Sequence, residues 1–468
     1  MIRITGLCAA SAMLAAVVAC GCGFASAAAD DDTAPGAAAV ARAPSTDRDA
    51  VLLVVAPRSL ADAMAPLVAH KTKTGMPARL VEIESLDHGA GRDDAERVKH
   101  AIFESHEKHG TRYVLLAGDA SLFPVRFRMA RPPKGDTDEG CTYEPTDLYY
   151  SNLYRDHAPG NHALDPTAIV HSAKFDDWDA DGDGAFDAQH AADDAASFDP
   201  DHVDGCPDVA VGRLPAHAAE EATAHVDKVI RYETENYHDK LQLFAVLADR
   251  ECPESMSLCD VVAGAATARR FLLNCRSSDD AQAPWKLASF GTIGLEVRCS
   301  GWIVYVGHAS ALAWQFHEAG RNFDAPLVSK FRGGDPLRGS VFAVGGETGR
   351  FTGRRSGVAR PGCYDGPDAR DRTFACSWLT ASGGAIVYAG ESQACPSDMG
   401  AELLKNVLAG RSGKLRILGD LWIEGQRRYW LDNRASECVF RSPRIYLGIM
   451  TLFGDPSVRI PGRERTAK

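Results

Sequence analysis

Four things are scarce or missing in this chain, and each removes a class of function. Positive charge is in deficit: 51 Lys and Arg stand against 63 Asp and Glu, a formal net charge of −12 at pH 7. A general nucleic-acid binder needs a basic face, so that class drops out. No Cys-x-x-Cys pair occurs in the body of the chain, which removes zinc sites built on such pairs. No internal repeat is visible. Beyond the first thirty residues no apolar run is long enough to span a bilayer.

What is present begins with a leader, "MIRITGLCAASAMLAAVVACGCGFASAAADDDTAP". Arg3 supplies a positive start and Gly6 to Ala19 an apolar stretch too short for a mature membrane helix, so residues 1–29 read as a secretory signal. Two cleavage routes stay open. "VVAC" is similar to a bacterial lipobox and would leave Cys20 as a lipidated N-terminus, whereas "ASAA" fits ordinary signal peptidase. Residues 30–47 are Ala/Asp/Pro-rich and are expected to form a disordered tether. The protein is therefore expected to be exported, as a secreted, periplasmic or outer-surface lipoprotein, with membrane contact only through a lipid on Cys20.

Ten cysteines follow the leader: Cys141, Cys206, Cys252, Cys259, Cys275, Cys299, Cys363, Cys376, Cys395 and Cys438. An even number in an exported chain predicts disulfides, with Cys252–Cys259 and Cys363–Cys376 as loops short enough to bridge.

Along the body, unbroken apolar runs alternate with helical patterns. "VLLVVAP", "PARLVEI" and "RYVLLAGD" read as buried strands, with helices over Leu60 to Lys73 and Asp93 to His109 between them. "PDVAVGRLP" is another strand, followed by a helix from Ala218 to about Tyr237. A second series begins with "LFAVLAD", then a helix over Ala263 to Leu273. The strands "GWIVYVGHAS", "GSVFAVGGETGRF" and "GGAIVYAGES" follow. Two helices (Met399 to Ala409 and Leu415 to Trp430) precede a closing "LFGDPSVRI". This pattern predicts an α/β fold of largely parallel sheets covered by helices, in two subdomains, residues 48–238 and 239–462, with a tail over 463–468.

Three clusters carry chemistry. In "DADGDGAFDAQH", Asp179, Asp181, Asp183 and Asp187 take positions 1, 3, 5 and 9 of a loop with Gly184 at the sixth place, the spacing that suits Ca²⁺. His190 stands where a bidentate Glu is usual, so Asp177 or a carboxylate elsewhere is expected to complete a structural calcium site. In "YVGHASALAW", His308 directly follows Gly307 at the carboxyl end of a buried strand, where open α/β sheets bind ligands. Asp208 opens "PDVAVGRLP", where a carboxylate can orient an imidazole through its Nδ1–H.

Eight ordered segments, "YVLLAGDASLFPVRF", "TDLYYSNLY", the Asp/Gly loop, "PDVAVGRLP", "YVGHAS…W", "VFAVGGETGRF", "GGAIVYAGES" and "LFGDPS", resemble the gingipain family of cysteine peptidases over nearly the whole body of the chain. The resemblance implies a caspase-like fold, a structural calcium ion, and peptide or protein substrates. It implies acyl transfer by a cysteine thiolate, with a histidine base, an orienting carboxylate and backbone N–H groups for the oxyanion. Carried over, His308 is the base, Gly307 the glycine on its oxyanion side, and Asp208 the orienting carboxylate. The nucleophile belongs in a pattern of the form V-F-A-x-x-C-x-T-G-x-F, and here the cysteine's place holds Gly346. Without a side chain no thiolate forms there. The expected protein is thus a catalytically degenerate peptidase homologue retained to bind peptide or protein. The alternative is an active peptidase whose nucleophile has moved to Cys363 or Cys376, while Glu347, one residue on, is a poor nucleophile toward amides.

Overall fold

The computed structural model describes residues 51–131, 142–160, 168–187, 190–191, 197–198, 201–235, 244–249, 268–273, 286–287, 294, 297, 300–316, 322–332, 338–352, 373–393, 397–410, 415–436 and 443–460. The leader, the tether, and Cys141, Cys252, Cys259, Cys275, Cys299, Cys363, Cys395 and Cys438 lie outside them.

The apolar runs become the strands of one eleven-stranded sheet. In chain order these are β1 (Val51–Ala56), β2 (Ala78–Glu82), β3 (Thr111–Ala117), β4 (Ala210–Leu214), β5 (Phe244–Asp249), β6 (Ala268–Leu273), β7 (Lys286–Leu287), β8 (Trp302–Val306), β9 (Arg338–Val344), β10 (Ala385–Glu391) and β11 (Met450–Gly454). Their order across the sheet is β7-β6-β5-β8-β9-β10-β11-β4-β3-β1-β2. Every neighbouring pair is parallel except β10 and β11. The sheet is therefore two parallel blocks running in opposite directions. Strands such as β8 and β10 are sealed along their whole length, as expected where helices cover both faces.

Helices α1 (Arg58–Lys73), α2 (Asp94–His109), α3 (Ala219–Thr234), α4 (Phe374–Thr380), α5 (Ser397–Gly410), α6 (Leu418–Asn433) and α7 (Pro443–Ile449) provide that cover. The longer ones are amphipathic in the ordinary sense: α1 buries Leu60, Met64 and Leu67, a stripe at helical spacing. The ends of α2 are written in its sequence. The Asp93 side chain accepts the Glu96 N–H at 2.9 Å, and Gly110 closes the helix at φ 69°.

The strand ends on either side of β4 repeat one device. In Gly118-Asp119-Ala120-Ser121, after β3, the N–H and hydroxyl of Ser121 both donate to Oδ1 of Asp119, at 3.0 and 2.6 Å. In Gly454-Asp455-Pro456-Ser457, ending β11, Ser457 does the same to Asp455 at 2.8 and 2.6 Å. The second oxygen takes a partner of differing exposure: His217 at 2.9 Å near the surface, Lys71 at 2.8 Å in the interior.

Residues 268–273, expected as the end of a helix, form β6 and pair in parallel with β5. A short apolar run such as Phe271–Leu272–Leu273 does not by itself separate strand from helix, and the open edge of β5 decides it. The hairpin of Arg126–Arg131 with Thr142–Thr146 was not anticipated, because charged residues break its pattern. Residues before 238 and after 239 share the one sheet, with β11, from the end of the chain, beside β4.

Candidate functional site

The carboxyl ends of β8, β9 and β10 lie at one edge of the sheet. Pairing of Val306 with Val344 brings the exits of β8 and β9 side by side. His308 follows at once and is exposed. Its backbone is pinned: the carbonyl accepts from the Tyr305 hydroxyl at 2.5 Å and from Gln315 N–H at 2.9 Å. The short pair of strands over 309–310 and 313–314 holds this geometry, with Trp314 stacked on Tyr305 at 4.7 Å between centroids.

Opposite His308, the chain leaves β9 through two glycines with positive φ, Gly345 at 144° and Gly346 at 52°. A Cβ on Gly345 would fall on the carbonyl oxygen of Gly307, and one on Gly346 on that of Ala309. The position expected for a nucleophile is thus closed by backbone as well as lacking a side chain. Glu347 turns to Arg350, 2.9 Å away. Thr348 is fully buried, and Gly349 N–H donates to the backbone carbonyl of Glu391 at 2.7 Å.

Gly307, expected on the oxyanion side, sits in the ladder between β8 and β9. Its N–H donates to Val344 O at 3.1 Å, so the parallel ladder uses the donor an oxyanion would need. Gly345 N–H is likewise occupied, by Oε2 of Glu391 at 3.2 Å.

Asp208 is not brought to His308 either. The reversal at β10/β11 puts the start of β4 on the same sheet edge as the end of β8, but four strand intervals away, about 19 Å at ordinary spacing. Its carboxylate holds His157 instead. Oδ1 meets His157 Nε2 at 3.0 Å, and Oδ2 accepts the N–H groups of Leu153 and Tyr154 at 2.7 and 3.2 Å. Asp204 engages the other ring nitrogen at 2.8 Å. Burial disfavours the charged ring, but the carboxylates of Asp208 and Asp204 outweigh it and raise His157 to about 10. Burial also pushes Asp208 upward, yet His157 and the backbone donors hold it below the usual carboxylate range.

The acidic loop divides. Carboxylate oxygens of Asp179, Asp181 and Asp183 converge within 4.8 Å of one another. Gly182 and Gly184 supply the positive φ of the turn, at 76° and 83°. Three oxygens around a tight, glycine-shaped loop fit a hard cation. Asp179 is also paired with Arg92, Asp177 with Arg155 at 2.8 Å, and Asp187 lies 3.2 Å from Arg444 and 3.6 Å from Arg128. The side chain of His190 lies outside the described residues.

Of the cysteines expected to pair, Cys206 is a free thiol sealed in the core, where burial pushes its pKa well above the ordinary range. The sulfur of Cys376 is 3.0 Å from the Thr373 hydroxyl at the start of α4.

One site residue was overlooked in the sequence. Glu391 ends β10 fully buried, with Oε1 3.0 Å from the Tyr446 hydroxyl and Oε2 on Gly345. The signal was there: a glutamate closing the otherwise apolar run "AIVYAGE".

A fold of this kind is found in solved structures. Gingipain R, an Arg-specific cysteine proteinase, matches with a TM-score of 0.59 at 13% identity, covering 89% of this chain and 79% of that one. The complex of the pro- and mature domains of Porphyromonas gingivalis RgpB matches with a TM-score of 0.57 at 15% identity, covering 87% and 79%. A structure described only as a protease gives 0.57 at 15% identity, covering 88% and 78%. No curated protein matches the sequence. The model of peptidase family C25 matches residues 45–461. With that match over nearly the whole body of the chain, the protein belongs to peptidase family C25, the gingipain-type cysteine peptidases.

Proposed function

We propose that this family member binds peptide or protein segments at the His308 edge of the sheet without cleaving them through a cysteine at the family's nucleophile position. One observation carries the reading: the place of that cysteine is Gly346, and the carbonyl of Ala309 fills the space its side chain would enter. A missing nucleophile removes orders of magnitude of rate, while the surrounding surface keeps its capacity to bind. The exposed imidazole of His308 on a pinned backbone supports a retained recognition surface.

The test uses the intact protein with Ca²⁺, a mixed peptide library and a thiol-reactive peptide probe. Binding without turnover, weakened by His308→Ala, is expected. Turnover lost in His308→Ala, or labelling of a single cysteine by the probe, overturns the reading.

A second reading has one observation in its favour. Phe374 N–H donates to Ala311 O at 2.7 Å, so the start of α4, which carries Cys376, abuts the segment of His308. An active peptidase using Cys376 would be revealed by cleavage that Cys376→Ser abolishes. Cys363, the other candidate, lies outside the described residues.

We also propose a structural calcium ion held by Asp179, Asp181 and Asp183. Their convergence supports it, and millimolar external calcium would fill such a site after export. Export, and a lipid on Cys20, rest on the leader alone.

A further inference from the structure

The turn over residues 345–349 is held at both ends by one residue. The carboxyl of Glu391 takes Gly345 N–H at 3.2 Å, and the main-chain carbonyl of the same residue takes Gly349 N–H at 2.7 Å. Tyr446 on α7 steadies the carboxyl from behind at 3.0 Å. A buried polar side chain with so few partners carries the geometry of whatever it holds, because leaving any of these groups unpaired away from water is unfavourable.

Among the described residues no positive charge bears on the carboxyl. From the exit of β9 it receives the Gly345 N–H, and from α7 the Tyr446 phenol. The packed elements also carry Asp398, Glu402 and Lys405 on α5 and Arg444 on α7, and the causes that act on the carboxyl are burial, Tyr446 and Gly345. Burial without a counter-charge favours the neutral acid and pushes Glu391 up to about 8, against an ordinary 4.5.

We propose that Glu391 is the positioning residue of the 345–349 turn, acting as a neutral carboxylic acid, and that opening the turn exposes this acid to water, where it ionises. The turn that borders His308 is thereby coupled to pH. Closed, the acid keeps its proton up to about pH 8; opened to water, it loses the proton above about 4.5. Between those limits the open form binds fewer protons, so opening grows more favourable as pH rises, and the trend levels off once the closed form ionises too. The coupling belongs to the turn itself and does not depend on peptide binding.

The test is hydrogen exchange at the amides of 345–349 in the whole protein between pH 5 and 8, expressed as protection relative to the free peptide rate. Protection is expected to fall with pH, by up to tenfold per unit. In Glu391→Gln, whose amide oxygen can accept from Gly345 and which does not titrate, protection is expected to stay independent of pH throughout. Wild-type protection independent of pH, or an equal slope in Glu391→Gln, overturns the proposal. A reading that needs no variant is the ¹³C titration of the Glu391 carboxyl in the wild-type protein. A midpoint near 8 supports the proposal and a midpoint near 4.5 overturns it.

Discussion

Nε2 of His157 lies 3.0 Å from Oδ1 of Asp208, and Nδ1 of the same ring lies 2.8 Å from Asp204. The ring is sealed and charged. Because His157 is raised to about 10, its contribution to stability is fully present below about pH 6.5 and is lost as pH rises through about 10. Asp208, held low, contributes above its ordinary value of 3.8 and loses that contribution as pH falls through its depressed one. Asp208→Asn is expected to lower stability by about 3–5 kcal/mol at pH 7, the usual effect of removing one partner of a buried pair. It is also expected to flatten the alkaline decline relative to wild type. Urea denaturation of both proteins from pH 6 to 10 measures this.

Gly346→Cys brings together two unfavourable terms. A non-glycine residue at φ 52° costs about 1–2 kcal/mol, and fitting a Cβ against the Ala309 carbonyl costs about 1–3 kcal/mol more. The variant is expected to unfold earlier in urea and to show no thiol-dependent cleavage of a peptide library. Cleavage gained at unchanged stability would mean that the two backbones separate easily.

Lys99 is buried with its amine over the rings of Tyr149, Trp178 and Phe175, at 4.2, 5.3 and 5.5 Å from their centroids. Burial depresses it to about 7, although Asp176 pulls the other way. The unfolded chain holds the extra proton between about pH 7 and 10.5, so this lysine makes stability climb across that window. Asp176 keeps Arg155 at 3.1 Å if the lysine is lost. Lys99→Met is expected to raise stability by about 1–2 kcal/mol near pH 6 and to remove its share of the climb, as read from Tm against pH.

Calcium gives a prediction that separates the acidic residues. A ligand bound only to the folded state stabilises it by mass action, so chelation should lower Tm. Asp181→Asn combined with Asp183→Asn should abolish the shift. Asp187→Asn should leave calcium affinity nearly unchanged while destabilising the fold, because Asp187 faces Arg128 and Arg444. A calorimetric calcium titration of the three proteins decides between these expectations.

The strands of the sheet were legible because a strand covered on both faces must be apolar throughout, as "WIVYV" and "AIVYAGE" nearly are. His308 and Gly346 were legible because strand ends and glycines punctuate that pattern. The partner of Asp208 was not: His157 is 51 residues away, and only the folded chain brings the two together. The ladder bond of Gly307 to Val344 was equally hidden, since register depends on tertiary pairing and not on local spacing. The β6 segment shows the same limit, with a neighbour's open edge overriding a local helical pattern.

The close passage of Gly346 under Ala309 makes this strand exit a place where two neighbouring backbones share one space: any side chain larger than hydrogen at 346 must be accompanied by a shift of the Ala309 segment, so the two positions can change only together.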